Sequence, residues 1–163
     1  MNTVDPGNSK SRLELAKEAV IATALKYFTA AGDPNVRFEL ATFGATGVVH
    51  GATWMTYDQL VAAVNAASTI SNTNYDVGLL TGMNAFNKPG KLTDAANVSF
   101  FVSDGEPNQG SNADGFNNDN GPSGSTSGDR GIGANEQAAW ESFLNTNDIL
   151  SYAIGIGPDA VSG

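Results

Sequence analysis

At 163 residues, 40% of them hydrophobic, the chain has the length of one domain and enough apolar content for one core. Its formal net charge of −9 argues against a nucleic-acid surface, which needs a basic patch, and suits cation binding and high solubility. The absence of cysteine removes disulfides, thiolate nucleophiles and cysteine–zinc sites, and the lone histidine, His50, makes a hydrolase triad hard to assemble.

No apolar run is long enough to span a bilayer, and the opening MNTVDPGNSK is too polar for a signal peptide, so either the protein is cytoplasmic or any export signal is expected outside this chain. The first predicted element is a helix opened by Ser11-Arg-Leu-Glu14, a capping box in which serine and glutamate satisfy two free backbone N–H groups. Leu13, Ala16, Val20, Ala24 and Tyr27/Phe28 recur at helical spacing, Gly32 is placed to end the helix, and Asp33-Pro34 blocks its continuation. Residues 36–40 alternate strictly and predict a strand with one face more exposed, continuing to Phe43-Gly44. A short strand around Val48-Val49-His50 is expected to pair with it as a hairpin through Ala45-Thr46-Gly47. Thr56-Tyr-Asp-Gln59 is a second capping box, and Leu60, Val61, Val64 and Ala67 form the stripe of that helix. After a polar break over 68–74, a third helix starts near Tyr75 with Val77, Leu80, Met83 and Phe86 along one side, and Pro89-Gly90 closes it off. Residues 98–102 are nearly all apolar, the pattern of a central parallel strand covered on both faces. A fourth helix over 135–145 is expected to bury Ala138, Ala139 and Phe143, with Trp140 a further candidate, and 149–156 reads as another buried strand. Trp54 and Trp140 are expected to pack rather than to bind.

Strands alternating with helices predict an α/β fold: a Rossmann-like, doubly wound, mainly parallel sheet with helices on both faces. In such sheets ligands bind beyond the C-terminal ends of the strands, and Asp104 stands at the tip of the 98–102 strand. Thr73, in SNTNYDVG, immediately precedes a helix. Each has an ordinary structural use, the threonine as an N-cap and the Asp-Gly pair as a turn. Taken together, TNYDVGL before a helix, an apolar strand ending FFVSDGEPN and a last strand YAIGIG resemble the von Willebrand factor type A (VWFA) domain. The opening helix SRLELAKEAV and the RFELATFG strand fit the same family, so the resemblance covers residues 11–157. It points to the versions carried by large bacterial surface adhesins with calcium-dependent, RTX-type repeats.

The resemblance implies a metal-ion-dependent adhesion site at the top of the sheet, with a divalent ion, Mg²⁺ or else Ca²⁺ or Mn²⁺, held by three loops. Thr73 would supply a hydroxyl and Asp104 a carboxylate, directly or through water. Mg²⁺ is hard, prefers oxygen and keeps several waters; with few protein carboxylates it retains positive charge and can accept an acidic group of a partner as its last ligand. The implied protein is a binding module and not an enzyme, extracellular or on a bacterial surface, part of a larger multidomain chain, with no nucleic-acid partner and no membrane insertion. The sequence departs from the family in lacking the Asp-x-Ser-x-Ser motif. The nearest candidate, Asp5-Pro-Gly-Asn-Ser9-Lys-Ser11, is two residues too long and follows no hydrophobic strand. A single VWFA-like domain truncated at both ends is therefore expected, without the first central strand and the C-terminal elements. That loss would expose ladder groups on two neighbouring strands, unless those strands close the gap and pair directly, and it would leave Mg²⁺ binding weak or absent.

The 105–133 segment is rich in Gly, Asn, Asp and Ser; Asp114, Asp119 and Asp129 could hold Ca²⁺ there, although the EF-hand pattern is not met, and a flexible insert is the plainer reading. Gly155-Ile-Gly157-Pro-Asp-Ala160 is a weak match to a dinucleotide fingerprint, interrupted by Pro158. Two other functions remain open. One keeps the fold but places it inside cells as a docking part of a metal-chelatase assembly driven by an ATPase. The other is a metal-dependent phosphoryl-transfer or hydrolytic enzyme using Asp104, with Asp76 and Glu106 as candidate base or nucleophile.

Overall fold

Two capping boxes fix where the first two helices begin. In the computed structural model, which describes residues 1–105, 107–108 and 131–156, helix α1 spans Arg12–Ala31. The Ser11 hydroxyl accepts from the Glu14 backbone N–H, while the Glu14 carboxylate accepts from the Ser11 backbone N–H at 2.7 Å. Gly32 ends the helix at φ 72, where its N–H donates to the Phe28 carbonyl. Thr56 and Gln59 repeat the device at the start of α2, Tyr57–Ala66.

Between these helices, β1 (Phe38–Phe43) and β2 (Gly47–Met55) form an antiparallel hairpin, with Phe43 opposite Gly47 and Leu40 opposite His50. The second arm is longer than the expected Val48–His50. Gly51, at φ +77, interrupts the alternation that marks a strand, and the register shifts between Phe38 and Leu40 before the chain rejoins at Met55. The two faces of β1 pack differently. Phe38 and Leu40 join the core of Ala24, Met55, Leu60 and Val64 under α1 and α2. Phe43 turns to the other face, against α3 (Tyr75–Phe86), where a side chain at Gly78 would lie 3.1 Å from its ring.

That close approach sets the rotation of α3. Its buried residues are Asp76, Gly78, Leu79, Thr81 and Ala85, a correction to the expected stripe of Val77, Leu80, Met83 and Phe86. Small side chains let the helix lie close to β1, and the larger residues are left half-buried at the flanks.

Strands β3 (Asn97–Ser103) and β4 (Ile149–Gly155) pair in parallel through seven consecutive residue pairs, from Asn97 with Ile149 to Ser103 with Gly155. The intervening helix α4, Ala134–Thr146, touches β4 and α3. Trp140 and Phe143 on α4 are half-buried, and Phe143 meets Phe86 with ring centroids 5.5 Å apart. Ala138, expected inside, is exposed, and the buried side chain of this helix is Glu136. Trp54 packs edge-on against Phe86, as expected of a packing tryptophan.

The architecture is mixed α/β, with four helices and one parallel ladder among the described residues. Among the described residues the strands are divided between two two-stranded sheets, with no pairing of β1 with β3. The sheets meet instead through side chains, Phe43 of β1 against Phe101 of β3 at 4.9 Å between ring centroids. The expectation that both apolar strands are covered on two faces is also corrected: Val98, Phe100, Leu150, Tyr152 and Ile154 are exposed. Their register places them side by side on one face of the β3–β4 ladder.

Candidate functional site

The C-terminal end of β3 delivers Ser103, Asp104 and Gly105 to a rim shared with the start of α3 and the start of α1. Ser103 is buried, and its hydroxyl turns to the Gly105 carbonyl at 3.1 Å. The Tyr75 hydroxyl, from the first turn of α3, donates to the same carbonyl at 2.8 Å. Asn108 closes the tie from the other side: its backbone N–H donates to the Thr73 carbonyl, and its side-chain oxygen accepts from the Thr73 N–H, both at 2.9 Å. The segments carrying Asp104 and Thr73 are thus bound to one another by three hydrogen bonds.

Thr73 is not the cap of α3. Asn74 has that role, its side chain accepting from the Val77 N–H at 3.2 Å while remaining almost fully buried. The Thr73 hydroxyl is therefore not used to start the helix, which removes the ordinary explanation for a threonine at that position.

Asp104 is already in cationic company. Its carboxylate lies against the backbone nitrogen of Met1. The Arg12 guanidinium lies behind it, with Nη1 3.9 Å from Asp104 Oδ2 and donating to the Asp104 backbone carbonyl at 3.1 Å. The same guanidinium forks onto Asp5, from Nη2 at 2.7 Å and Nε at 3.1 Å. This hydrogen bonding holds the Asp5 carboxyl below the usual carboxylate range. Arg12 itself is 7% exposed.

The alternative ligand set, Asp5 with Ser9 and Ser11, does not form: Asp5 is committed to Arg12 and Ser11 to the cap of α1. Asp76, one candidate base for a hydrolase, lies fully buried in the first turn of α3. Glu106, the other, lies outside the described residues, as do Asp114, Asp119, Asp129 and the stretch 157–160. His50 bonds across the hairpin through Nε2 to the Thr42 hydroxyl at 2.9 Å, and burial pulls its pKa down, as befits a packing residue.

Among the described residues no group of three or more His, Cys, Asp or Glu converges in a way that could hold a metal ion. The described rim presents one carboxylate, Asp104, flanked by Arg12, with the Thr73 segment tied beside it through backbone hydrogen bonds. Arg12, Tyr75 and Asn108 were not legible as site residues in the sequence; only Tyr75 and Asn108, which lie within TNYDVGL and SDGEPN, stood at a signal. Neither a family model nor a curated protein matches this chain.

Proposed function

We propose that this chain is a divalent-cation-dependent ligand-binding module of the von Willebrand factor type A kind, from a bacterial surface or secreted adhesin. In that reading its two ladders belong to one doubly wound architecture, with the rim at the C-terminal end of β3 as its binding face. What supports the reading is the position of the Asp104 carboxylate at the C-terminal end of β3, on a rim to which the Thr73 segment is tied by hydrogen bonds.

The chain's own part in binding follows from its donors. Asp104 supplies the anionic contact and the Thr73 hydroxyl a neutral one. Asn108 and Tyr75 hold the two segments in register through backbone atoms, so neither donor is positioned by its own side chain alone. An ion held by a single carboxylate keeps net positive charge, and the chemistry it supplies when bound is an acceptor position for an acidic side chain of a partner.

The test is localised paramagnetic broadening. Mn²⁺ at millimolar concentration should broaden amide resonances of Thr73, Asp104 and Gly105 in the wild-type chain and leave them sharp in Asp104→Asn. Broadening that is uniform over the acidic surface, or that persists in Asp104→Asn, sinks the reading.

A further inference from the structure

The far end of α3, away from the rim, is fastened to the hairpin beside a buried acid. Trp54 of β2 donates from its backbone N–H to the Pro89 carbonyl at 2.9 Å and from its indole N–H to the Phe86 carbonyl at 3.4 Å. Next to them the Lys88 ammonium donates to the Gly51 carbonyl at 3.3 Å, at the glycine whose φ of +77 interrupts β2. Glu39 lies in the part of β1 that faces this stretch, where the register shifts between Phe38 and Leu40. Both its carboxylate oxygens are buried with no well-formed hydrogen bond among the described residues. Burial pushes this carboxyl up to about 7, against the Leu40 backbone N–H and the charge of Lys88, which pull it down. Lys88 is thus near enough to act on the acid, yet its ammonium is hydrogen-bonded to a neutral carbonyl. The other charged and titratable groups nearby are engaged or turned away. Arg37, two residues before Glu39, pairs with Asp33 at 2.8 Å, and the Lys91 ammonium sits over the Phe86 ring at 3.8 Å. Tyr75 and Asp76 stand at the opposite end of α3. His50, bonded to Thr42, and α2 with Tyr57 and the exposed Asp58 lie on the other face of the hairpin.

We propose that Glu39 and Lys88 form a pH-sensitive latch between the hairpin and the end of α3: with Glu39 protonated the Lys88 ammonium holds the Gly51 carbonyl, and with Glu39 ionised it moves from that carbonyl to the carboxylate. An ionised carboxylate without a partner is costly where its oxygens are shut off from water. A hydrogen bond from an ammonium to a carboxylate is stronger than one to a neutral carbonyl, and the four-carbon stem of lysine lets its head change partners without moving the backbone that carries it. The Gly51 tie is therefore present while the acid keeps its proton and is lost as pH rises through the Glu39 titration. Residues 51–53 also form one wall of an open cleft whose other wall is Gln59, Ala62 and Ala63 of α2. The exchange removes a tie from that wall, so the latch couples the proton on Glu39 to the shape of the cleft. This inference does not depend on a metal ion at the rim.

The experiment is a pH titration by NMR of the full chain and of Glu39→Gln and Lys88→Met. It follows the Glu39 side-chain carboxyl carbon, the Lys88 Nζ, and the amide of Ala52, which shares a peptide unit with the Gly51 carbonyl. The Glu39 midpoint should lie near neutral pH in wild type and rise by about one pH unit in Lys88→Met, as when a neighbouring opposite charge is removed. The Ala52 amide should shift through the Glu39 midpoint in wild type. That step should vanish in Glu39→Gln and shrink to a fraction of its size in Lys88→Met. His50, which burial holds below its usual range, contributes a separate step at lower pH that all three proteins share. A Glu39 midpoint in the ordinary carboxylate range overturns the latch. So does a midpoint that Lys88→Met leaves in place, or an Ala52 step of full size in that variant. Should either variant fail to fold by circular dichroism, wild type decides by itself: the Lys88 Nζ resonance should move with the Glu39 midpoint, and a resonance indifferent to it overturns the proposal.

Discussion

Glu39 is a residue whose chemistry the fold visibly disturbs. The strict alternation of 36–40 places it on the polar side of a strand, and that side reads as the exposed one. In the structure this is the side shared with Phe43, which faces α3, and both Glu39 carboxylate oxygens are buried with no well-formed hydrogen bond among the described residues, the Leu40 N–H being their nearest aid. Burial raises its pKa from 4.5 to about 7, while the Leu40 backbone N–H and Lys88 oppose the rise only in part. A raised carboxyl pKa means that the folded chain holds this proton more tightly than the unfolded one. The contribution is complete below pH 4.5 and is lost as pH climbs through about 7. Glu39→Gln should therefore leave stability nearly unchanged at pH 4.5 and raise it at pH 8. The gain at pH 8 should be about 1–2 kcal/mol, once the full shift is discounted for the solvent that still reaches the residue. Urea melts of both proteins at the two pH values check this, and a difference independent of pH would count against it. The lesson for reading sequences is local. Asp104 and Thr73 were legible because a strand end and a helix start are marked by neighbours in the chain. Glu39 and Arg12 were not, because what buries them comes from distant residues, α3 in one case and Asp104 in the other.

At the scale of elements, the boundaries written in side-chain-to-backbone hydrogen bonds were the most legible. Both capping boxes open helices where Ser11-x-x-Glu14 and Thr56-x-x-Gln59 put them, since a cap is settled within four residues. The side of α3 that packs was not legible, because an apolar stripe records which residues prefer burial and not how near the neighbouring strand can come. Gly47 shows how near that is. A side-chain carbon there would fall 1.8 Å from the Thr81 Oγ1, and that hydroxyl is fixed by donating to the Val77 carbonyl at 2.5 Å. Gly47 reads as a turn glycine in the sequence, yet what requires it is the contact between β2 and α3. Gly47→Ala should destabilise the chain by about 1–3 kcal/mol, the usual cost of overpacking. Adding Thr81→Ala, which removes the clashing hydroxyl, should recover a good part of that loss, giving a favourable coupling in a double-mutant cycle. Additive losses in thermal melts would show that the strand–helix contact is not the reason for the glycine.

Over the whole molecule, the unusual feature is where apolar surface remains. The buried hydrophobic residues among those described are few, three of the seven being alanine, and the largest fully buried side chains are the carboxylates Glu136 and Asp76. Meanwhile Val98 and Phe100 of β3 and Leu150, Tyr152 and Ile154 of β4 face outward together, with the Phe100 and Tyr152 rings stacked at 5.6 Å. Both runs read in the sequence as strands covered on two sides. Their composition does report a demand for cover, since parallel ladders are ordinarily packed on both faces, but it carries no record of what meets that demand. Among the described residues α1 reaches the margin of the patch, through Tyr27 against Phe100 at 6.3 Å. An apolar face on a ladder whose edges are unpaired among the described residues is a liability for association rather than a source of stability. Leu150, 57% exposed, is the place to separate these two possibilities. Leu150→Lys should shift the folding free energy by no more than about 0.5 kcal/mol, as surface substitutions do. It should also lower the binding of a hydrophobic dye and raise the concentration at which the chain starts to aggregate. Leu60→Ala, in the core between α1, α2 and the hairpin, should instead cost about 2–5 kcal/mol. If Leu150→Lys proves as damaging as Leu60→Ala, the β3–β4 face is packed in solution and the division of this molecule into a covered and an uncovered ladder is wrong.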